Sequence, residues 1–293
     1  MMLAGGAARS SMLTGFLMDW IQIILLSLIQ GLTEFLPVSS SAHLVLPAQL
    51  TQWPDQGLAF DVAVHFGTLI AVLAYFRTDL LNLLSAAGRA PMFIRTNGWS
   101  GLVVTGQAMD TDLDLLLKLA MATLPIVLVG LASKDLVEAH LRTVPIIATT
   151  TMLFALFLWY ADRKPGQRES IRWSDAAWIG IAQTLALIPG TSRSGITITV
   201  ALLLGLGRVH SARFSFLLSI PTIAGAQLLL TMDLTDAQSS LEIWPLLAGA
   251  AIAFGAAYGS IHFFIRLLDR YGMTPYVLYR LALGACLLAF VGI

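Results

Sequence analysis

The sequence predicts an all-α polytopic membrane protein: six transmembrane helices plus two re-entrant helical hairpins in an inverted-topology repeat. Three observations predict it. First, 57% of the 293 residues are hydrophobic and 12% charged, about half the charged share of a soluble domain. Second, stretches long enough to cross roughly 30 Å of hydrocarbon recur along the chain. Third, two short segments each end an apolar run with a proline and a cluster of hydroxyls. Such polar, broken backbone survives at bilayer depth only where protein or a water-filled cavity surrounds it.

In chain order, residues 1–17 read as an N-terminal extension. Met1 to Thr14 is small and polar with one charge, Arg9. It lacks the basic region and cleavage site of a removable signal peptide. Met18 offers an alternative start. Residues 18–293 then form one integral-membrane domain, with halves at approximately 18–132 and 144–293. The spans run near Phe60–Phe76, Leu113–Leu131, Val144–Ala161, Ala212–Met232, Ile243–Leu267 and Thr274–Ile293. Two further pieces, Phe16–Leu36 and Trp178–Ile188, run into the breaks and resume as shorter helices, Ala42–Leu50 and Ile196–Leu206. Half-length pairs of this kind read as hairpins that enter and leave on one side.

Basic residues orient the chain. One set of loops carries Arg77, Arg89, Arg95, Arg163, Lys164, Arg168, Arg172, Arg208, Arg213, Arg266 and Arg270; the other carries Arg9, Lys134 and Arg142. The acidic connection Asp233–Glu242 belongs with the poorer set, outside. The first hairpin then enters from outside and the second from the cytoplasm, so both tips come near the midplane. Aligning the breaks on Pro37 and Pro189 pairs Ser39 with Thr191, Ser40 with Ser192, and Ser41 with Arg193. Net charge is zero, which gives no sign of a nucleic-acid partner. The single cysteine, Cys286, is expected to pack in an apolar helix.

The ionisable residues at the breaks are the candidate site. Glu34 lies one helical turn after Gln30, so the two share a face. A carboxylate there can ligate a divalent cation, act as an acid or base, or be neutralised by a cation on another helix. Ser39, Ser40 and Ser41 are good helix caps, and one of them can be a nucleophile if a base is near. His43 is a candidate base or rival nucleophile. In the second break, Gly190, Thr191 and Ser192 precede a helix and make an anion cradle, with Ser194 beside them. Arg193 adds a guanidinium suited to phosphate. Elsewhere, Asp61 and His65 could line a mouth, Lys118 is expected to snorkel, and Arg280 to pair within the bundle. Pro125 and Pro221 are expected to kink their helices. Gly249, Gly255 and Gly259 read as sites of close helix packing. A carboxylate, hydroxyls, an imidazole and a guanidinium together imply phosphate chemistry on an amphiphile.

At these residues the chain resembles the undecaprenyl-diphosphatase family of bacitracin-resistance membrane phosphatases. Gln30-Gly31-Leu32-Thr33-Glu34 fits its (Glu/Gln)-x-x-x-Glu motif, and Pro189 to Gly195 fits its second motif. Phe60 to Gly67, Ala212 to Pro221 and Tyr279-Arg280 are similar to further family segments, so the likeness runs from about Met18 to the C-terminus. Many members have a second glutamate where Gln30 stands, and Ser41-Ala42 replaces a common Thr-Gly.

The resemblance implies hydrolysis of undecaprenyl diphosphate to the monophosphate carrier of peptidoglycan synthesis, and bacitracin resistance. It implies a divalent cation, Mg²⁺ or Ca²⁺, near Glu34 and Gln30. It implies a multi-pass protein of the bacterial plasma (inner) membrane, its site opening to the periplasmic or extracellular side. Carried over by position, Ser40 is the nucleophile candidate, His43 a base or rival, and Arg193 the phosphate clamp, helped by Ser192 and Ser194. The partners it implies are a polyprenyl diphosphate and membrane lipids, and it leaves a homodimer open. A lipid flippase is the rival reading; it would move substrate without releasing phosphate.

Overall fold

The computed structural model describes residues 20–44, 56–97, 111–163, 166–236 and 243–291. The N-terminal extension with Met18, the second part of Ala42–Leu50, most of Asp233–Glu242 and the side chain of Lys134 lie outside the described residues. The described helices are α1 Trp20–Thr33, α2 Leu58–Tyr75, α3 Arg77–Asn97, α4 Thr111–His140, α5 Val144–Asp162, α6 Trp173–Gln183, α7 Arg193–Leu203, α8 Arg208–Asp236, α9 Ile243–Tyr271 and α10 Thr274–Val291. A short helix also restarts at Ser40, and a 3-10 turn, Thr184–Leu187, follows α6. Among the described residues five helices, α2, α4, α5, α8 and α9, are long and apolar enough to cross a membrane. The chain is thus an all-helical polytopic membrane protein. Pro125 and Pro221 lie inside α4 and α8, which run on through them.

Arg77 to Asn97 differs from the sequence reading, which made it a loop. It forms α3. Low hydropathy conceals it from a membrane-span search, but Leu83 and Ala86 give it a buried stripe.

Small residues set the packing. The buried face of α1 repeats at helical spacing through Ile23, Leu26, Ser27 and Gln30. It lies on α9, whose buried stripe is Gly249, Ala253, Ala257, Ser260 and Phe264. Close approach requires glycine: a Cβ on Gly31 would stand 2.6 Å from the Ala253 carbonyl oxygen, and one on Gly67 of α2 would stand 2.2 Å from that of Ala250. The same device joins α6 to α4, where a Cβ on Gly180 would meet the Ala122 backbone at 2.7 Å. α10 packs along α5, and α7 fits between α5, α6 and α8. Gly249 is the close contact expected, against Phe60, but Gly255 and Gly259 face open space. They line a shallow apolar groove between α1, α9 and α10 instead.

An aromatic core underlies the first break. Phe35 meets Phe216 edge-on at 5.6 Å, and Phe216 meets Phe264 at 5.6 Å. One end of the bundle is tied by ion pairs, Arg208 with Asp162 at 2.6 Å and Arg168 with Asp175. Lys118 does not snorkel. It is buried, donates to Asp114 and to the Ile171 carbonyl, and lies over the Trp173 ring. Its fourth-neighbour carboxylate makes burial tolerable.

Overpacking a helix contact costs about 1–3 kcal/mol. Gly67→Ala is therefore expected to lower the thermal midpoint of the detergent-solubilised protein, and Gly255→Ala to leave it unchanged. Equal midpoints would contradict the packing described.

Candidate phosphate site

Each break is a helix end, a short irregular turn and a new helix start. In the first, α1 closes with Glu34 N–H donating to the Gln30 carbonyl at 3.0 Å. Pro37 then removes a backbone donor, Ser39 takes φ 74°, and a helix restarts at Ser40. In the second, the 3-10 turn gives way to Pro189, Gly190 takes φ 92°, Ser192 takes φ 71°, and α7 starts at Arg193. Among the described residues Ser39 and Ser192 are the only non-glycine residues with positive φ. Such backbone costs of order 1–3 kcal/mol and persists only where the surroundings over-determine it.

These two serines correct the alignment on the prolines. Each strained serine precedes a new helix, and each pairs its hydroxyl with that two residues on: Ser39 with Ser41 at 3.2 Å, Ser192 with Ser194 at 3.3 Å. Aligned on these serines instead, Ser39 falls with Ser192, Ser40 with Arg193, and Ser41 with Ser194. Gln30 and Gln183 fall in the same register. The prolines are then displaced by one residue.

The tips meet at Glu34. Arg193 Nη2 donates to Oε1 at 2.8 Å. Ser40 Oγ donates to Oε2 at 2.7 Å, and Gln30 Nε2 donates to the same oxygen at 2.9 Å. His65 Nε2 stands 3.9 Å from Oε2. Both charged side chains are nearly enclosed, Glu34 at 8% exposure and Arg193 at 12%. Phe35, locked in the aromatic core, fixes the backbone beside Glu34. Ser194 Oγ ties the second tip to the Leu36 carbonyl of the first at 2.9 Å.

A cavity of about 260 Å³ opens on this cluster. Its polar wall is Glu34, Ser39, Ser40, Ser41, His65, Ser192 and Arg193. Its apolar wall comes from Ile126, Ala186, Ile223, Ala226 and Leu230, with Thr222 and Gln227 between. Buried polar atoms without a hydrogen-bond partner include Arg193 Nη1, Gln30 Oε1 and Gln227 Oε1. A buried donor left unmade on a guanidinium is costly unless a ligand takes it.

The structure brings Gln30, Glu34, Ser39, Ser40, Ser192 and Arg193 together. It places His43 elsewhere: Nδ1 bonds the Ser39 carbonyl at 2.7 Å and Nε2 bonds the Tyr279 hydroxyl at 2.5 Å, with the two rings stacked. His43 does not line the cavity. His65, which the sequence placed only at a mouth, lines it, its ring held by the Asp61 carbonyl at 2.7 Å. Gly190, Thr191 and Ser194 stand behind the wall. Gly190 and Thr191 contribute their carbonyls to Arg280, which is fully buried and bonds only carbonyl oxygens. The sequence signal for Arg280 was an arginine in an apolar helix; that its partners would be carbonyls was not visible.

A divalent cation would find the Glu34 carboxylate and the free Gln30 Oε1 as oxygen donors. Among the described residues no group of three or more His, Cys, Asp or Glu is gathered for a metal. One carboxylate suits a hard cation that shares its coordination with substrate phosphates and water.

Fold and site together define a polytopic membrane protein with a polar cavity, lined by a buried carboxylate–guanidinium pair, built from two broken helices. Residues 23–286 match the family model described as bacitracin resistance protein BacA, and the chain belongs to that family. It is 52% identical, over 276 residues, to the undecaprenyl-diphosphatase of Alcanivorax borkumensis, covering 92% of this chain and 98% of that protein.

Removing one partner of a buried ion pair costs about 3–5 kcal/mol, because the other charge is stranded. Arg193→Met is therefore expected to destabilise the protein strongly, and adding Glu34→Gln to recover most of the loss. A double-mutant cycle on thermal or denaturant unfolding checks this; simple additivity would contradict the pairing.

Proposed function

We infer that this chain is an undecaprenyl-diphosphate phosphatase, a hydrolase that releases inorganic phosphate and returns the lipid monophosphate to cell-wall synthesis, with bacitracin resistance as the consequence. The observation that carries the reading is the cross-tip cluster, in which a serine hydroxyl and a guanidinium with a free Nη1 converge on one carboxylate. The terminal phosphate occupies the polar wall. Arg193 holds its oxygens, helped by Ser192, Ser39 and the starts of two helices. The isoprenyl chain leaves along the apolar wall into the bilayer.

Ser40 Oγ attacks the terminal phosphorus while its proton passes to Glu34. The bond from phosphorus to the bridging oxygen breaks, and Glu34 gives that proton to the departing lipid monophosphate. Water then attacks the phosphoserine, losing a proton to Glu34, which returns it to Ser40 as phosphate leaves. Before substrate binds, Arg193 and Gln30 hold Glu34 as a charged acceptor; when phosphate takes guanidinium hydrogen bonds, the carboxylate becomes the better base. Mg²⁺ or Ca²⁺ on Glu34 and Gln30 would neutralise charge on the transferring phosphoryl oxygens. Most of the catalysis is positioning and electrostatics, as in phosphoryl transfer generally. His43 acts through the fold of the first tip, by holding the Ser39 carbonyl.

The finer topology belongs to the same proposal. Residues 18–293 make one domain of six spans and two re-entrant hairpins in an inverted repeat. The matched serines support it, as do Gly31 on α9 and Gly180 on α4, which place each hairpin against a helix of the other half. The protein lies in the bacterial inner membrane. His65, Ile126 and Thr222 to Leu230 sit on helix halves remote from the arginine-bearing ends, which supports a site open to the outer side.

The test is phosphate release by purified protein from a long-chain isoprenyl diphosphate, with EDTA, Mg²⁺ or Ca²⁺. Release is expected to need the cation and to vanish in Ser40→Ala and Glu34→Ala. Arg193→Lys, which keeps charge without the fork, should lose about 10²-fold. No release by folded wild type under any cation would favour lipid transport instead.

A further inference from the structure

Among the described residues Arg280 is the largest side chain that the fold buries completely. It sits on apolar α10, and no acidic partner is found for it among the described residues. Its hydrogen bonds all run to backbone carbonyls. Nε donates to Thr151 O at 3.1 Å and Nη1 to Pro37 O at 3.2 Å. Nη2 donates to both Gly190 O and Thr191 O at 2.9 Å. Pro37 belongs to the first tip, three residues before Ser40. Gly190 and Thr191 belong to the second, just before Arg193.

We propose that Arg280 is the positioning residue of the site: one planar guanidinium bonds both tips and sets the gap across which Arg193 reaches the Glu34–Ser40 pair. The proposal rests on reading that cluster as the phosphate site. Three features require arginine. Three of the four carbonyls it binds, those of Pro37, Gly190 and Thr191, lie where the chain breaks and helical partners are lost. They lie in different directions, which a flat fork of five donors matches and a lysine ammonium does not. α7 also presses on it, since a Cβ on Gly195 would stand 2.8 Å from Nη1. Arg280 touches no cavity-lining atom by hydrogen bond, so it acts through backbone. Its loss should therefore impair turnover more than substrate capture.

The experiment uses full-length protein in detergent with two readouts. Steady-state kinetics gives kcat and KM for Arg280→Lys and for Gly195→Ala, which keeps the arginine but crowds it. Electron–electron double resonance between spin labels at Leu32 and Leu185, both lipid-exposed, in a Cys286→Ala background gives the tip-to-tip distance without activity. In folded Arg280→Lys, kcat is expected to fall about 100-fold, as for a 1 Å misplacement, with KM changed less than about threefold. The distance distribution should broaden. Gly195→Ala should show both effects more weakly, and it decides the matter if Arg280→Lys does not fold. Wild-type kcat with an unchanged narrow distribution in either folded variant overturns the proposal. If wild type released no phosphate, the activity reading would fail, while the distance measurement would still test the clasp.

Discussion

Hydrocarbon offers no hydrogen bonds, so a helix that breaks inside the membrane leaves carbonyls that the protein itself must satisfy. This chain breaks twice, and much of its architecture answers that constraint. Thr150 Oγ1 donates to Pro189 O at 2.6 Å and Thr151 Oγ1 to Gly190 O at 3.3 Å. Ser194 covers Leu36 O, and Ser260 donates to Leu32 O at 3.0 Å. Arg280 takes carbonyls from both breaks at once. Helices α5, α9 and α10 supply no group to the reacting cluster. Their part is to close the backbone ledger around it.

Chemistry follows from how rigidly the tips are then held. Left-handed backbone at Ser39 and Ser192 turns each chain abruptly into a new helix. The turn brings the N-terminal ends of both helices near the cavity, and such ends carry partial positive charge. Phe35 in the aromatic core prevents the first tip from rotating. Glu34 and Arg193 can then face each other across the gap at bonding distance, with both side chains nearly enclosed. Attraction in so poorly solvated a place is stronger than at a surface, and under the proposed function a phosphate would enter by exchanging partners with groups already in position.

Much of this was legible in the residues. Hydropathy marked the five long spans, and prolines before hydroxyl clusters marked both breaks. Glu34 and Arg193 stood out because charge is rare in such segments. What stayed hidden was set by conformation rather than by residue type. Proline was the natural landmark for aligning the breaks, yet the equivalent positions are fixed by φ, which put Ser39 opposite Ser192. α3 was missed because its single buried stripe is outweighed by arginines and polar residues. Lys118 was misplaced because, beyond Asp114 one turn away on its own helix, its second partner, the Ile171 carbonyl, becomes a neighbour only after folding. Choosing between His43 and His65 depends on which way a ring faces. His43 was nearer in sequence to Ser40, but its nitrogens are taken by Ser39 O and Tyr279.

The corrected register has a consequence for how such a chain can be assembled. The position matching Glu34 in the second half is Leu187, and that matching Arg193 in the first is Ser40. Two identical copies of the first half, facing each other, would oppose carboxylate to carboxylate. Two copies of the second would oppose guanidinium to guanidinium. Neither symmetric pair could hold a phosphate between opposite charges. The acid and the cation stand on different break segments, so carrying both segments in one chain gives every molecule one of each. Under the proposed mechanism, asymmetry between the two break segments is thereby a condition of the reaction.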